Sequence, residues 1–361
     1  MKKIVIIAIT IVVVVVIGIV AISNAFDRDA DKELTVGVIF NGSITDKSWT
    51  QAHYEGLVEA TQKLELPLLY KENVTEAAAA EEIEELIEQG CQIIVATSFG
   101  FGEAMQEAAA QYPDICFFHA TGVVSGDNLT TYFGRMYQIR YLCGVVAGLQ
   151  TQTGEIGYAA AFPYAEVNRG INAFAMGVRA VNPDAVVYVE WCQSWEDDAA
   201  LVSAVGQLIE EHNIDVLTVH SDSIAYMDIC NENNIDIIGY NMDCAQEYPN
   251  TYLTAAVWEW EQFYTPCFTE CVQNKSTGKN YWEGLETGIV SLAPLTDNVS
   301  ADAQQVVTQY KERIESGTFD VFYGPIYDST GTLRIAEGEN MSDTSLLNEF
   351  DWYVEGVIVC E

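Results

Sequence analysis

From residue 34 onward, short β-branched runs alternate with amphipathic stretches, and this pattern constrains the chain more than any other feature. TVGVIF (35–40) reads as a strand, and a helix follows from about Trp49 to Leu64. LPLLYK (66–71), CQIIVATS (91–98), ICFFHA (115–120) and LTTYFG (129–134) read as further strands. The Ala/Glu-rich stretch TEAAAAEEIEELIEQG and a helix over 102–111 separate them. After residue 135 the cycle restarts with GEIGYAAA, DAVVYVEW, IDVLTVH and IDIIGY, with helices near 167–181, 197–212 and 223–232 between them. Such alternation predicts an α/β fold of parallel sheets with helices on both faces. There are too many strands for one small sheet, so two lobes are expected. No Pro/Gly/Ser-rich stretch separates the halves, which predicts a tight hinge rather than a flexible tether. Ligands of such sheets bind beyond the carboxyl ends of the strands, here the space between the lobes.

The N-terminus stands apart. Lys2 and Lys3 precede an uncharged apolar run from Ile4 to Ile22. About 20 apolar residues cross a bilayer as a helix, and the basic flank places the N-terminus inside the cell. Ser23-Asn24-Ala25 supplies small residues of the kind a signal peptidase reads. Residues 1–25 are therefore read as a membrane anchor or a long signal peptide, with the rest of the chain outside the cytoplasm. The chain as a whole is strongly acidic: 53 Asp and Glu against 16 Lys and Arg give a formal charge of −37. That balance excludes nucleic acid as a partner, because such affinity comes largely from basic side chains displacing counterions. Nine cysteines, most in apolar segments, read as small core residues, and none has metal-ligand spacing with a histidine. No metal or cofactor is expected.

The loops after the strands repeat one chemistry. NGSITDKSWTQAHYEG follows the first strand, with Asp46 placed to cap the helix that carries Trp49. Ser98 follows the third strand, Tyr137 the fifth, and Phe162 the sixth. Trp195, Asp222, Asp243 and Trp258 follow later ones. Aromatic rings give stacking faces, and carboxylates give directional acceptors. The combination fits a flat, uncharged, amino-bearing heterocycle better than a phosphate. No P-loop and no GxGxxG after a strand are present. Catalysis is the competing class, but GxSxG is absent and no histidine stands beside a candidate serine nucleophile in a strained elbow. His220 reads as a satisfied strand-end histidine, and His53 as a half-exposed structural one.

The segments NGSITDKSWTQAHYEG, TYFGRMYQIRYLCGVVAG, NRGINAFAMGVRAVNPDA, VFYGPIYDSTG and WYVEGV resemble the basic membrane protein (BMP, PnrA-like) family, the extracellular substrate-binding proteins of ABC transporters. The similarity runs in order from about residue 34 to the C-terminus. It implies a type I periplasmic binding protein fold of two Rossmann-like lobes, with crossovers near 133–137, 251–258 and 286–295. Lobe 1 would span 34–134 plus about 257–285, and lobe 2 would span 135–256 plus about 286–361. The ligands implied are purine bases or nucleosides, and the implied partner is an ABC permease. Trp49 would stack on the base, with Asp46 supporting its loop. Asp222, Asp243 and Tyr137 would hydrogen-bond the ligand, and Trp195 and Trp258 would close the far wall. Nucleoside-binding members carry a lysine near the Trp258–Trp260 position that this sequence lacks, which favours a free base. The lipid-anchor cysteine is also missing. A membrane-tethered sensor with the same cleft, and an enzyme acting on nucleosides, are the alternative readings.

Overall fold

The computed structural model describes residues 34–276 and 278–360. The apolar run of residues 4–22 lies outside the described residues. Among the described residues, no helix is long and apolar enough to cross a membrane.

The first lobe is built from β1 (Val36–Ile39), α1 (Trp49–Leu64), β2 (Leu68–Lys71), α2 (Ala79–Glu88), β3 (Ile93–Ala96), α3 (Gly102–Gln111), β4 (Cys116–Ala120) and β5 (Leu129–Gly134). The chain then crosses to the second lobe. There it forms α4 (Tyr137–Gln150), β6 (Glu155–Ala160), α5 (Ala165–Val181), β7 (Val186–Trp191), α6 (Asp198–Glu211), β8 (Val216–His220), α7 (Tyr226–Glu232), β9 (Asp236–Asn241) and β10 (Tyr252–Trp258). It crosses back through α8 (Glu261–Val272) to β11 (Asn280–Glu283), and returns at β12 (Val290–Leu292). α9 (Ala301–Glu315), the hairpin β13 (Ile326–Tyr327) and β14 (Leu333–Ile335), α10 (Asp343–Asn348) and β15 (Val357–Val359) complete the chain.

The first sheet runs β11-β5-β4-β3-β1-β2, and every pairing in it is parallel. The second runs β12-β10-β9-β8-β6-β7-β15, parallel except where β12 lies antiparallel to β10. β1, β3, β5 and β10 are buried along their whole length, the burial expected of parallel strands covered on both faces. Three passages between the sheets, after β5, after β10 and between β11 and β12, tie the lobes together.

Two local features position the cleft. Asp46 accepts the backbone N–H groups of Ser48, Thr50 and Gln51 at 2.8, 2.9 and 3.0 Å, so α1 starts where Trp49 faces the space between the lobes. In the second lobe, α4 and α5 cross closely. A Cβ on Gly144 would collide with the Phe174 carbonyl, and one on Gly177 with that of Tyr141. The four-residue link from β6 (Glu155–Ala160) to α5 (Ala165–Val181) sets the first turn of α5 at the carboxyl end of β6. Seven of the nine cysteines are buried, all nine are free thiols, and Cys116 and Cys360 are half-buried.

Candidate functional site

A cavity of about 1390 Å³ lies between the two lobes. Its walls are the ends of strands: Asn41 follows β1, Thr97 and Ser98 follow β3, Phe133 is next to last in β5, Phe162 follows β6, Asp222 follows β8 and Tyr240 is next to last in β9. This is where a parallel sheet leaves backbone and side chains free to meet a ligand.

The first lobe supplies rings. Trp49 is only 8% exposed, and its indole N–H donates to the Thr97 carbonyl at 2.8 Å. Its edge meets the rings of His53, Trp260 and Trp258 at centroid distances of 4.4, 5.4 and 5.8 Å. Behind it, Trp258 stacks on Trp260 at 4.5 Å, and His53 stacks on Trp260 at 4.1 Å. His53 is fully buried rather than half-exposed, because its ring fills this cluster and its Nδ1 lies 2.6 Å from the Tyr264 hydroxyl. Burial pushes its pKa well below the ordinary value.

The second lobe supplies charge. Asp222 is half-buried on the cavity wall, and its backbone N–H donates to the Trp195 carbonyl at 2.8 Å. Asn241 donates to the Asp222 carboxylate at 2.8 Å and reaches Ser48 Oγ of the first lobe at the same distance. Trp258 in turn donates to Asn241 Oδ1 at 3.0 Å. Burial raises the Asp222 pKa well above the carboxylate range. The Asn241 hydrogen bond opposes this, while Asp46, Glu196 and Glu166 add to it. Glu196 is raised in the same direction by burial, and it accepts a hydrogen bond from Asn41 across the cleft at 2.8 Å.

Of the residues expected at the site, Trp49, Ser98, Phe162, Trp195 and Asp222 line the cavity. Asp46 stands one step behind as the support of the Trp49 loop. Tyr137 and Trp258 are buried behind the wall. Tyr137 packs between Phe322 and Trp282, and Trp258 lies between Asn241 and the Trp260 ring. Asp243 is exposed in the turn after β9, where it accepts the Ala245 N–H at 3.0 Å. The backbone explains its place: Asn241 adopts a left-handed φ of 69°, which turns the chain so that Asn241 faces inward and Asp243 faces out.

Several wall residues were not singled out from the sequence. Glu166 and Arg169 come from the first turn of α5, and Trp282 comes from β11. Asp343 comes from the C-terminal segment and grips Arg135 at 2.9 Å with both carboxylate oxygens. It also accepts the Trp282 indole N–H at 3.2 Å. The NRG motif held one of these residues, Arg169, but only the cleft shows that it shares a wall with Glu166 and Trp282.

Residues 33–321 match the family described as ABC transporter substrate-binding protein PnrA-like. The chain belongs to this family. As a PnrA-like substrate-binding protein of an ABC transporter, it acts outside the cytoplasm and takes a small molecule to a permease. A purine-binding protein of Brucella abortus is 34% identical over 91% of this chain and 94% of its own length. A putative ABC transporter glucose-binding protein of Haloferax volcanii is 33% identical over 88% of this chain and 79% of its own. An ABC transporter solute-binding protein of Aeropyrum pernix shares the fold, with a TM-score of 0.70, 17% identity, and coverage of 80% of this chain and 92% of that one. The architecture of this PnrA-like protein is accordingly the type I periplasmic binding protein fold, two Rossmann-like lobes joined by a hinge.

Proposed function

We propose that this PnrA-like protein captures a purine base or nucleoside between its lobes and delivers it to an ABC permease. The observation that carries this reading is the pairing of a ring wall with an acceptor. Trp49, Phe162 and Trp195 border the same cavity as the Asp222 carboxylate. A flat heterocycle can lie against a ring while an amino or ring N–H group donates to the carboxylate. The carboxylates Glu166, Glu196, Asp222 and Asp343 on the wall disfavour a phosphorylated nucleotide. The purine-binding relative supports the same choice. In this account residues 34–134 with about 257–285 move as one lobe, and 135–256 with about 286–361 as the other. Closure is driven by contacts made only when a ligand bridges them. Residues 1–25 would hold the protein at the membrane or be removed on export.

A sugar is the second reading, favoured by the glucose-binding relative and by the fact that ring faces also stack on sugars. A thermal-shift screen with adenine, adenosine, guanosine and glucose separates the two, because a ligand that binds the native state raises the melting point. Purines shifting the transition while glucose leaves it in place supports the proposal. Glucose alone shifting it would replace the purine reading with the sugar one.

A further inference from the structure

Beyond the ring wall and Asp222, the cavity has a second polar region that is built with care. α5 enters the wall with Glu166 and Arg169, three residues apart and therefore on neighbouring positions of one helix face. Glu166 is held from behind. His220 Nε2 lies 3.4 Å from Glu166 Oε1, which can only accept, so Nε2 carries the proton and Nδ1 accepts from the Tyr158 hydroxyl 3.2 Å away. His220 is 2% exposed, and burial, helped by the Arg140 charge, lowers its pKa to about 4. It therefore serves near neutral pH as an uncharged donor that orients the carboxylate. Burial alone would raise the Glu166 pKa. The His220 hydrogen bond and the charges of Arg169 and Arg140 outweigh that effect, so the carboxylate stays ionised.

Arg169 is also fixed. It is 3% exposed, its Nη1 donates to the Leu346 carbonyl, and its guanidinium sits 5.0 Å from the centroid of the Trp282 ring. Among the described residues, Arg169 makes no further side-chain hydrogen bond, and Glu166 accepts only from His220. The cavity wall thus offers an acceptor-only group and a donor-only group side by side, next to an indole.

A phosphate or carboxylate would satisfy Arg169 but meet Glu166, and an ammonium would do the reverse. Neighbouring hydroxyls satisfy both, since each can donate to Glu166 and accept from Arg169. The volume of about 1390 Å³ leaves room for more than a bare purine ring. We propose that Glu166 and Arg169 form a vicinal-diol subsite that selects the sugar of a nucleoside whose base lies against Trp49 and Asp222. This rests on the purine reading above, and it reverses the preference for a free base drawn from the missing lysine near Trp258–Trp260. Arg169 supplies the cation from α5, the helix that also carries Glu166, rather than from near Trp258–Trp260.

Calorimetric titration tests this with four probes: adenosine, 2′,3′-dideoxyadenosine, adenine and glucose. The wild-type protein should bind adenosine about tenfold or more tightly than the dideoxy analogue, the loss expected for hydrogen bonds to charged groups. In Glu166→Gln that ratio should fall to about threefold or less. Equal affinity for the two nucleosides in the wild type, or a ratio that Glu166→Gln leaves unchanged, overturns the subsite. The wild-type ratio alone decides the matter if the variant fails to fold. If glucose binds and the purines do not, the purine reading fails. The subsite then stands if Glu166→Gln weakens glucose about tenfold, and falls if it does not. Binding of none of the four counts against both.

Discussion

Both lobes line one cavity with rings, but the second carries most of its charge. The first presents Trp49, Phe99, Phe133 and Trp282, and it backs Trp49 with a packed cluster of Trp258, Trp260 and His53. The second presents Phe162 and Trp195 but also Glu166, Arg169, Glu196 and Asp222, and backs the charged groups with buried polar partners: Tyr158 and His220 behind Glu166, Asn241 behind Asp222. A ring wall is held by close packing and tolerates rotation of a flat ligand on its face. A charged wall is held by directional hydrogen bonds, and it sets which edge of the ligand must point where. The difference assigns affinity to the rings of both lobes and selectivity mainly to the charged groups of the second.

The largest expected effect is on the ring wall. Trp49→Ala should weaken purine binding by about 1–3 kcal/mol, the range for stacking of a base on an aromatic side chain. The same change should lower folding stability by about 3–5 kcal/mol, since a buried ring and its bond to Thr97 are lost. Calorimetry and denaturant unfolding report the two effects separately. Unchanged affinity would return Trp49 to a purely structural role.

Asp222→Asn should cost about 1.5–3 kcal/mol of ligand affinity, because an acceptor with full charge becomes a neutral amide. Its effect on stability should have the opposite sign at neutral pH. The folded-state pKa of Asp222 lies above the ordinary value of 3.8, so the native state pays to keep it ionised. That penalty is present above the raised pKa and is relieved as pH falls through it. Asp222→Asn should therefore raise the melting point of the unliganded protein at neutral pH, with the gain fading in acid. A lower melting point at neutral pH would mean that the carboxylate is stabilised in a way the burial argument omits.

His220 should show the reverse slope. Its folded-state value of about 4 lies below the ordinary 6.5, so the unfolded chain takes up the proton first. The stability this provides is complete above about pH 6.5 and is lost as pH falls toward 4. His220→Gln should flatten the wild-type loss of stability in that window, read from melting points across pH. An unaltered slope would show that other groups dominate it.

The smallest effects belong to the outside. Lys47 bridges the lobes to Glu247 at 3.1 Å, but both side chains are nearly half exposed. Lys47→Ala should change stability by about 1 kcal/mol or less. Asp243→Ala, in the turn outside the cleft, should alter purine affinity less than about twofold, within the range of a typical surface substitution. A large loss would mean that the turn after β9 reaches the ligand.

Most of the fold was legible because periodicity reports burial. The helices at 49–64 and 102–111 and the strand at 129–134 fall where the pattern of apolar residues put them. So do the first nine strands as a set, within two residues at nearly every end. The return of the chain to the first sheet was harder, since β11 pairs with β5 across about 150 residues of sequence and no local pattern signals it. Ser98, Phe162 and Asp222, expected from their place just after a strand, stand on the cavity wall. Asp243 stands off it because the backbone turns there, and Trp258 because its ring packs into the cluster behind the wall. Glu166 and Arg169 stayed hidden because they lie at the start of a helix rather than in the loop after a strand. The short link from β6 to α5 brings that start to the cleft.

The most direct test is a crystal structure of the protein grown with adenosine. The account predicts the purine ring between the lobes, with one face on Trp49, an N–H or amino edge donating to Asp222, and the ribose hydroxyls within reach of Glu166 and Arg169. An empty cleft at saturating adenosine, or a nucleoside bound with its ring away from Trp49 and Asp222, would contradict it.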